Sequence, residues 1–90
     1  MAIGVRARFF ARLRELAGTD LEPLEVPAGS SLADVYDVAV RLHPALDSDR
    51  NAVRGAINQS FADWSTTVAD GDEVAFIPPV SGGAHGAGIL

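Results

Sequence analysis

The side chains of this 90-residue chain hold few candidates for chemistry. The histidines, His43 and His85, are the first to consider for proton transfer. His43 falls just before Pro44, at a helix end, where an imidazole interacts well with the helix dipole. His85 lies in a glycine-rich stretch. Neither has a third partner at metal-ligand spacing, so both read as residues without a catalytic role. Asp47, Asp49 and Asn51 imitate the start of a calcium loop. That loop requires glycine and then glutamate where this chain has Ala52 and Asn58, so the segment reads as a solvated turn. Asn58-Gln59-Ser60 matches a glycosylation sequon, which has no meaning without secretion. No serine is accompanied by a histidine and an acid in an arrangement that would make a nucleophile. One segment remains: Ser81-Gly82-Gly83, directly after Pro78-Pro79-Val80. The prolines stiffen the approach, and the glycines make a slim thread that fits a narrow channel in another protein. An isolated Gly-Gly would read only as a flexible tail.

Missing residue types exclude more. There is no cysteine, hence no disulfide framework, thiolate zinc site, thiol nucleophile or CxxC redox pair. All seven basic residues are arginine. A phosphate-loop lysine, a Schiff base and a lysine general base are therefore excluded. The formal charge of −5 argues against a nucleic-acid partner. No apolar run approaches the ~20 residues of a membrane span, and the start lacks a signal peptide's apolar region. The expected class is one soluble, cytoplasmic, acidic domain.

Several elements would have to position the thread. Residues 2–10 alternate: Ile3, Val5, Ala7 and Phe9 share one face, Arg6, Arg8 and Phe10 the other. This predicts a strand with one buried side. Residues 11–17 predict a short helix through Leu13, Leu16 and Ala17, stopped by Gly18. Residues 21–27 predict a strand that Pro23 and Pro27 confine to a sheet edge. Ser31 and Asp34 mark the start of the main helix. Its apolar stripe is Leu32, Val35, Ala39 and Leu42, with Val38 alongside, and Pro44 ends it. Residues 45–51 read as turns, 52–58 as a strand closed by a tight turn at Asn58-Gln59, and 68–72 as a turn around Gly71. Phe61 and Trp64 fall in a short strand or irregular segment. Residues 73–77 predict a strand with Val74 and Phe76 on one face, Ala75 and Ile77 on the other. After Val80 the composition shifts, with four glycines in the last ten residues. The pattern is α+β: a mixed sheet of four to five strands on one main helix, as in a β-grasp arrangement. Residues 1–81 make the domain and 82–90 a glycine-rich tail.

Phe10 and Ile77 are apolar residues on the non-core faces of the first and last strands. If those strands are neighbours, the two form one exposed patch, which Phe61 extends. Such a patch on so small a chain favours a partner surface.

Four stretches together resemble the small, ubiquitin-like subunit of molybdopterin synthase, the MoaD branch of the MoaD/ThiS sulfur carriers. They are Phe9–Asp20 (FFARLRELAGTD), Gly55–Ser60 (GAINQS), Ala69–Phe76 (ADGDEVAF) and Pro78–Gly83 (PPVSGG). The resemblance implies a β-grasp fold and a carrier whose own terminus is the reactive group. A MoeB-like enzyme would adenylate the carboxylate of Gly83 with ATP and Mg²⁺, and sulfur transfer would convert it to a thiocarboxylate. No cofactor would be bound by the chain itself. The MoaE-like large subunit would receive the loaded thread, with Gly82 and Ser81 in the channel and Gly83 carrying the sulfur. Two carriers on a large-subunit dimer would form a heterotetramer. The sulfur would go to cyclic pyranopterin monophosphate to build the molybdopterin dithiolene. Phe10, Phe61 and Ile77 would form the partner-binding patch.

Gly83 is followed by Ala84-His85-Gly86-Ala87-Gly88-Ile89-Leu90. A glycine carbonyl inside a peptide bond cannot be adenylated. Three arrangements are compatible with this: a protease trims the chain after Gly83, the tail marks a regulated or inactive carrier, or the protein is an uncharged interaction module. The close match through Gly83 favours trimming. A ThiS-like carrier of another pathway, or a ubiquitin-like protein modifier, would keep the same fold.

Overall fold

The computed structural model describes residues 1–78, with the side chains of 48–50 excepted. The described residues form five strands and two α-helices in this order: β1 (Ala2–Phe9), α1 (Ala11–Ala17), β2 (Leu21–Pro27), α2 (Leu32–Leu42), then a 3₁₀ segment (Pro44–Ala52), β3 (Arg54–Ile57), β4 (Ser60–Phe61) and β5 (Glu73–Ile77). They form one mixed sheet in the order β2-β1-β5-β3-β4. The first and last strands, β1 and β5, run parallel and adjacent, and the other pairings are antiparallel. This is the ubiquitin-like β-grasp. No helix among the described residues is long and apolar enough to cross a membrane.

The alternation in β1 sorts its side chains as expected. Val5, Ala7 and Phe9 are buried, and Arg6 is exposed. The strand ends at Phe9, one residue earlier than the pattern predicts. Phe10 is still extended, and its N–H donates to the Phe76 carbonyl at 3.3 Å. Ala11 then takes a φ of +51°, which swings the chain out of the sheet and into α1. Gly18 closes α1 at φ +78°, donating its N–H to the Arg14 carbonyl. β2 is an edge strand, so Pro23 and Pro27 need supply no donor on its open side.

The main helix begins with a capping box: Asp34 N–H donates to Ser31 Oγ, and Ser31 N–H donates to the Asp34 carboxylate. The next two donors reach across the chain, Leu32 N–H to the Thr66 carbonyl and Ala33 N–H to that of Trp64. The otherwise irregular 62–67 segment thus satisfies the helix start. The buried stripe is Leu32, Val35, Tyr36 and Ala39. This corrects the expected stripe, because Leu42 is exposed. Ten residues after Leu32, its direction has drifted off the face that meets the sheet. Leu46, expected in a solvated turn, is fully buried instead, and its carbonyl accepts from the Tyr36 hydroxyl at 2.9 Å. The expected 52–58 strand is shorter, at Arg54–Ile57, though Val53 is buried.

Gly55 lets helix and sheet approach closely. A Cβ there would lie 2.4 Å from Leu32 Cδ2. Trp64 covers the core margin, stacked nearly parallel on Phe76 and edge-on to Tyr36. The domain boundary expected after Ser81 lies outside the described residues.

Candidate functional site

The helices cover one face of the sheet, and the other face holds the candidate site. Register decides its membership. Arg6 pairs with Glu73, Arg8 with Ala75, Ala75 with Ala56, and Ala56 with Phe61. Side chains opposite one another share a face, so these residues stand together on the side away from α2. Ile77, two residues beyond Ala75, and Phe10, just past the end of β1, complete the set. Between them is a hollow of about 340 Å³.

The floor of the hollow is Ala56 and Ala75, and its walls are Phe10, Phe61 and Ile77. All three residues expected to form a partner patch therefore meet at one place. Phe10 is 41% and Phe61 64% exposed, while Ile77 is half-buried. Both phenylalanines thus keep much of their surface in water, which a protein partner would remove.

Polar groups fix the rim. Glu73 lies between two arginines, with Arg8 Nε at 3.0 Å and Arg6 at 3.6 Å. The β3–β4 turn holds Phe61 in place. Asn58 and Gln59 have φ of +49° and +73°, the left-handed pair that a tight two-residue hairpin requires. Asn58 N–H donates to the Glu73 carbonyl at 2.7 Å, Glu73 N–H donates back to Asn58 Oδ1, and Asn58 Nδ2 donates to Asp72. One side chain so ties the hairpin to the start of β5. Arg54 lies over the Phe61 ring, 4.7 Å from its centroid.

Sequence reasoning found Phe10 and Ile77 through their places on the non-core faces of alternating strands, and added Phe61 as an extension of their patch. It missed Glu73, Ala56 and Arg54 as parts of the face. Alternation in EVAFI does place Glu73 with Ala75 and Ile77, and Arg6 and Arg8 carry the complementary charge. The Arg54–Phe61 contact depends on register alone and leaves no local signal.

The other candidates lie apart. His43 Nε2 is 2.6 Å from Glu22 Oε1, and its ring meets Phe9 edge-on. It therefore braces the core side, across the sheet from the hollow. Among the described residues no three His, Asp or Glu side chains are grouped to hold a metal. The hollow's described lining, apolar side chains beside the Arg8–Glu73 pair, suits binding. Beside it β5 ends at Ile77, and the chain leaves the sheet at Pro78. Ser81, Gly82, Gly83 and His85 lie outside the described residues.

Comparison with known proteins gives a consistent pattern. A model of the ThiS family matches residues 7–83. The chain is 41% identical over 86 residues to the molybdopterin synthase sulfur carrier subunit of Escherichia coli, covering 88% of this chain and 99% of that one. Among solved structures, small archaeal modifier protein 1 (SAMP1) of Haloferax volcanii superposes with a TM-score of 0.81 at 33% identity, over 89% of this chain and 99% of that one. A complex of subunits 1 and 2 of molybdopterin-converting factor from Helicobacter pylori matches with a TM-score of 0.62 at 26% identity, over 90% of this chain and all of the matched one.

Proposed function

This chain belongs to the ThiS family, and from that membership we propose that it is the sulfur-carrier subunit of a molybdopterin synthase. The identity to the Escherichia coli carrier subunit, across nearly the whole of that protein, carries the reading. The exposed apolar hollow beside the exit of β5 supports it physically. A carrier needs a surface to be gripped and a thread to be inserted, and the hollow is lined by Ile77, the last residue of β5.

The chemistry belongs to the terminus. A carboxylate is a poor electrophile, whereas an acyl-adenylate carries a good leaving group. An adenylating partner using ATP and Mg²⁺ would activate Gly83, and sulfur would displace the adenylate to leave a glycyl thiocarboxylate. That sulfur is a nucleophile and a donor. The large subunit would dock on Phe10, Phe61 and Ile77, admit Ser81-Gly82-Gly83 into its channel, and supply the basic groups for transfer to cyclic pyranopterin monophosphate. Gly83 is followed by Ala84, so a cleavage after Gly83 would have to precede charging.

Reconstitution tests this. A form ending at Gly83, with the adenylating enzyme, ATP, Mg²⁺ and a sulfur source, should gain about 16 Da as oxygen is exchanged for sulfur. Adding the large subunit and the pterin precursor should then give molybdopterin. The uncut chain should not be charged. A charged carrier that yields no molybdopterin would overturn the assignment.

A second reading has its own support, the likeness to small archaeal modifier protein 1. A modifier would attach Gly83 to lysines of other proteins. This chain has no lysine and cannot extend on itself through one. Gly83 isopeptides on cellular proteins would favour this reading.

A further inference from the structure

The sheet face opposite the helices bears three arginines, and they are not equivalent. Arg6 and Arg8 share the Glu73 carboxylate. Arg54 forms no ion pair among the described residues. Its guanidinium rests instead on the ring of Phe61, at 4.7 Å. Arg54 opens β3 opposite Ile77, so its charge stands beside the apolar hollow. On the far side of Phe61 it lines a second, shallower hollow with Ala62, Asp63 and Thr66.

A guanidinium held on a ring has lost part of its hydration and much of its rotamer freedom already. Its N–H edge remains available, and that planar fork matches a carboxylate with two parallel hydrogen bonds. Pairing then costs little further ordering. A partner that covers Phe61 must also cover Arg54. Burying the cation unpaired would be strongly unfavourable, and a neutral carbonyl would not cancel the charge. The chain as a whole carries −5, so long-range attraction to a basic partner does not depend on this residue. Its contribution is local: it sets which surface fits, and in which register.

The geometry points to Arg54 as a specificity-determining residue, which receives a carboxylate of the large subunit at the margin of the apolar contact. This rests on the carrier reading above. The occupant is thus an Asp or Glu placed next to the partner residues that fill the hollow.

The test is the binding kinetics of the full chain with the large subunit from the same organism. Arg54→Ala should raise the dissociation rate about fivefold, and Arg54→Glu about twentyfold or more. Arg54→Lys, which keeps the charge and loses the fork, should fall between wild type and Arg54→Ala. Association should slow little, and melting temperatures should be unchanged. Replacing acidic residues of the large subunit by arginine, one at a time, should reveal one position that restores Arg54→Glu. Wild-type dissociation in Arg54→Ala would overturn the inference while leaving the carrier reading intact. So would an Arg54→Glu variant no weaker than Arg54→Ala, or the absence of any restoring position. No binding by the wild type, either as the full chain or as the form ending at Gly83, would overturn the carrier reading and this inference with it.

Discussion

On the face proposed to meet a partner, Phe61 is the most exposed of the three apolar side chains. It projects from a two-residue strand and is mostly exposed. Covering it would contribute about 1.5–3 kcal/mol, so its loss should be felt in binding far more than in folding. Phe61→Asp is expected to weaken large-subunit binding by about thirtyfold or more, with a melting temperature close to wild type. Titration calorimetry and a thermal melt together check both halves. Ala11 presents the reverse case, a stability effect with no contact behind it. Its φ of +51° costs a non-glycine residue about 1–2 kcal/mol, while the entropy penalty of a glycine is about 0.5–1 kcal/mol. Ala11→Gly should therefore stabilise slightly and raise the melting temperature by about 2–4 °C. A lowered melting temperature would show that the left-handed turn is not strained.

Among the elements, α2 approaches β3 closely at Gly55. A methyl group on Gly55 would collide with Leu32, which is itself fully buried. Gly55→Ala should cost about 1–3 kcal/mol, read as a lowered denaturant midpoint with an unchanged slope. Pairing it with Leu32→Val should cost less than the two changes summed. Periodic features were readable in the sequence at this scale: the β1 alternation, the Ser31–Asp34 cap, the edge position of β2 and the β5 pattern. Each is set by neighbours within a few residues. Tyr36 and Leu46 escaped. Leu42 fits the helical spacing as well as Tyr36 does, and only the sheet's position chooses between them. The 3₁₀ segment that buries Leu46 has no long period to detect. Phe10 and Ile77 were readable because each stands on the non-core face of an alternating strand, whereas Phe61 has no such pattern around it and entered only as an extension of their patch. The Glu73 and Arg54 contacts were not readable, since they arise from register between strands far apart in sequence.

For the whole molecule, the proposed reading sets the folded body of residues 1–78 apart from the chemistry at Gly83. Gly83→Ala, made in the form ending at residue 83, should leave the melting temperature unchanged and reduce charging by about tenfold or more, because a narrow channel tolerates little extra bulk. Mass spectrometry of the charged fraction reads this directly. The parallel pairing of β1 with β5 has a further consequence, which concerns synthesis. β5 is the middle strand of the sheet and the last to leave the ribosome. Until it emerges, β1 and β2 can form only a hairpin, and β3 and β4 have nothing to join. Phe10, Phe61 and Ile77 come together only when that last strand inserts. A partner that touched all three would therefore engage finished molecules and pass over nascent or truncated ones.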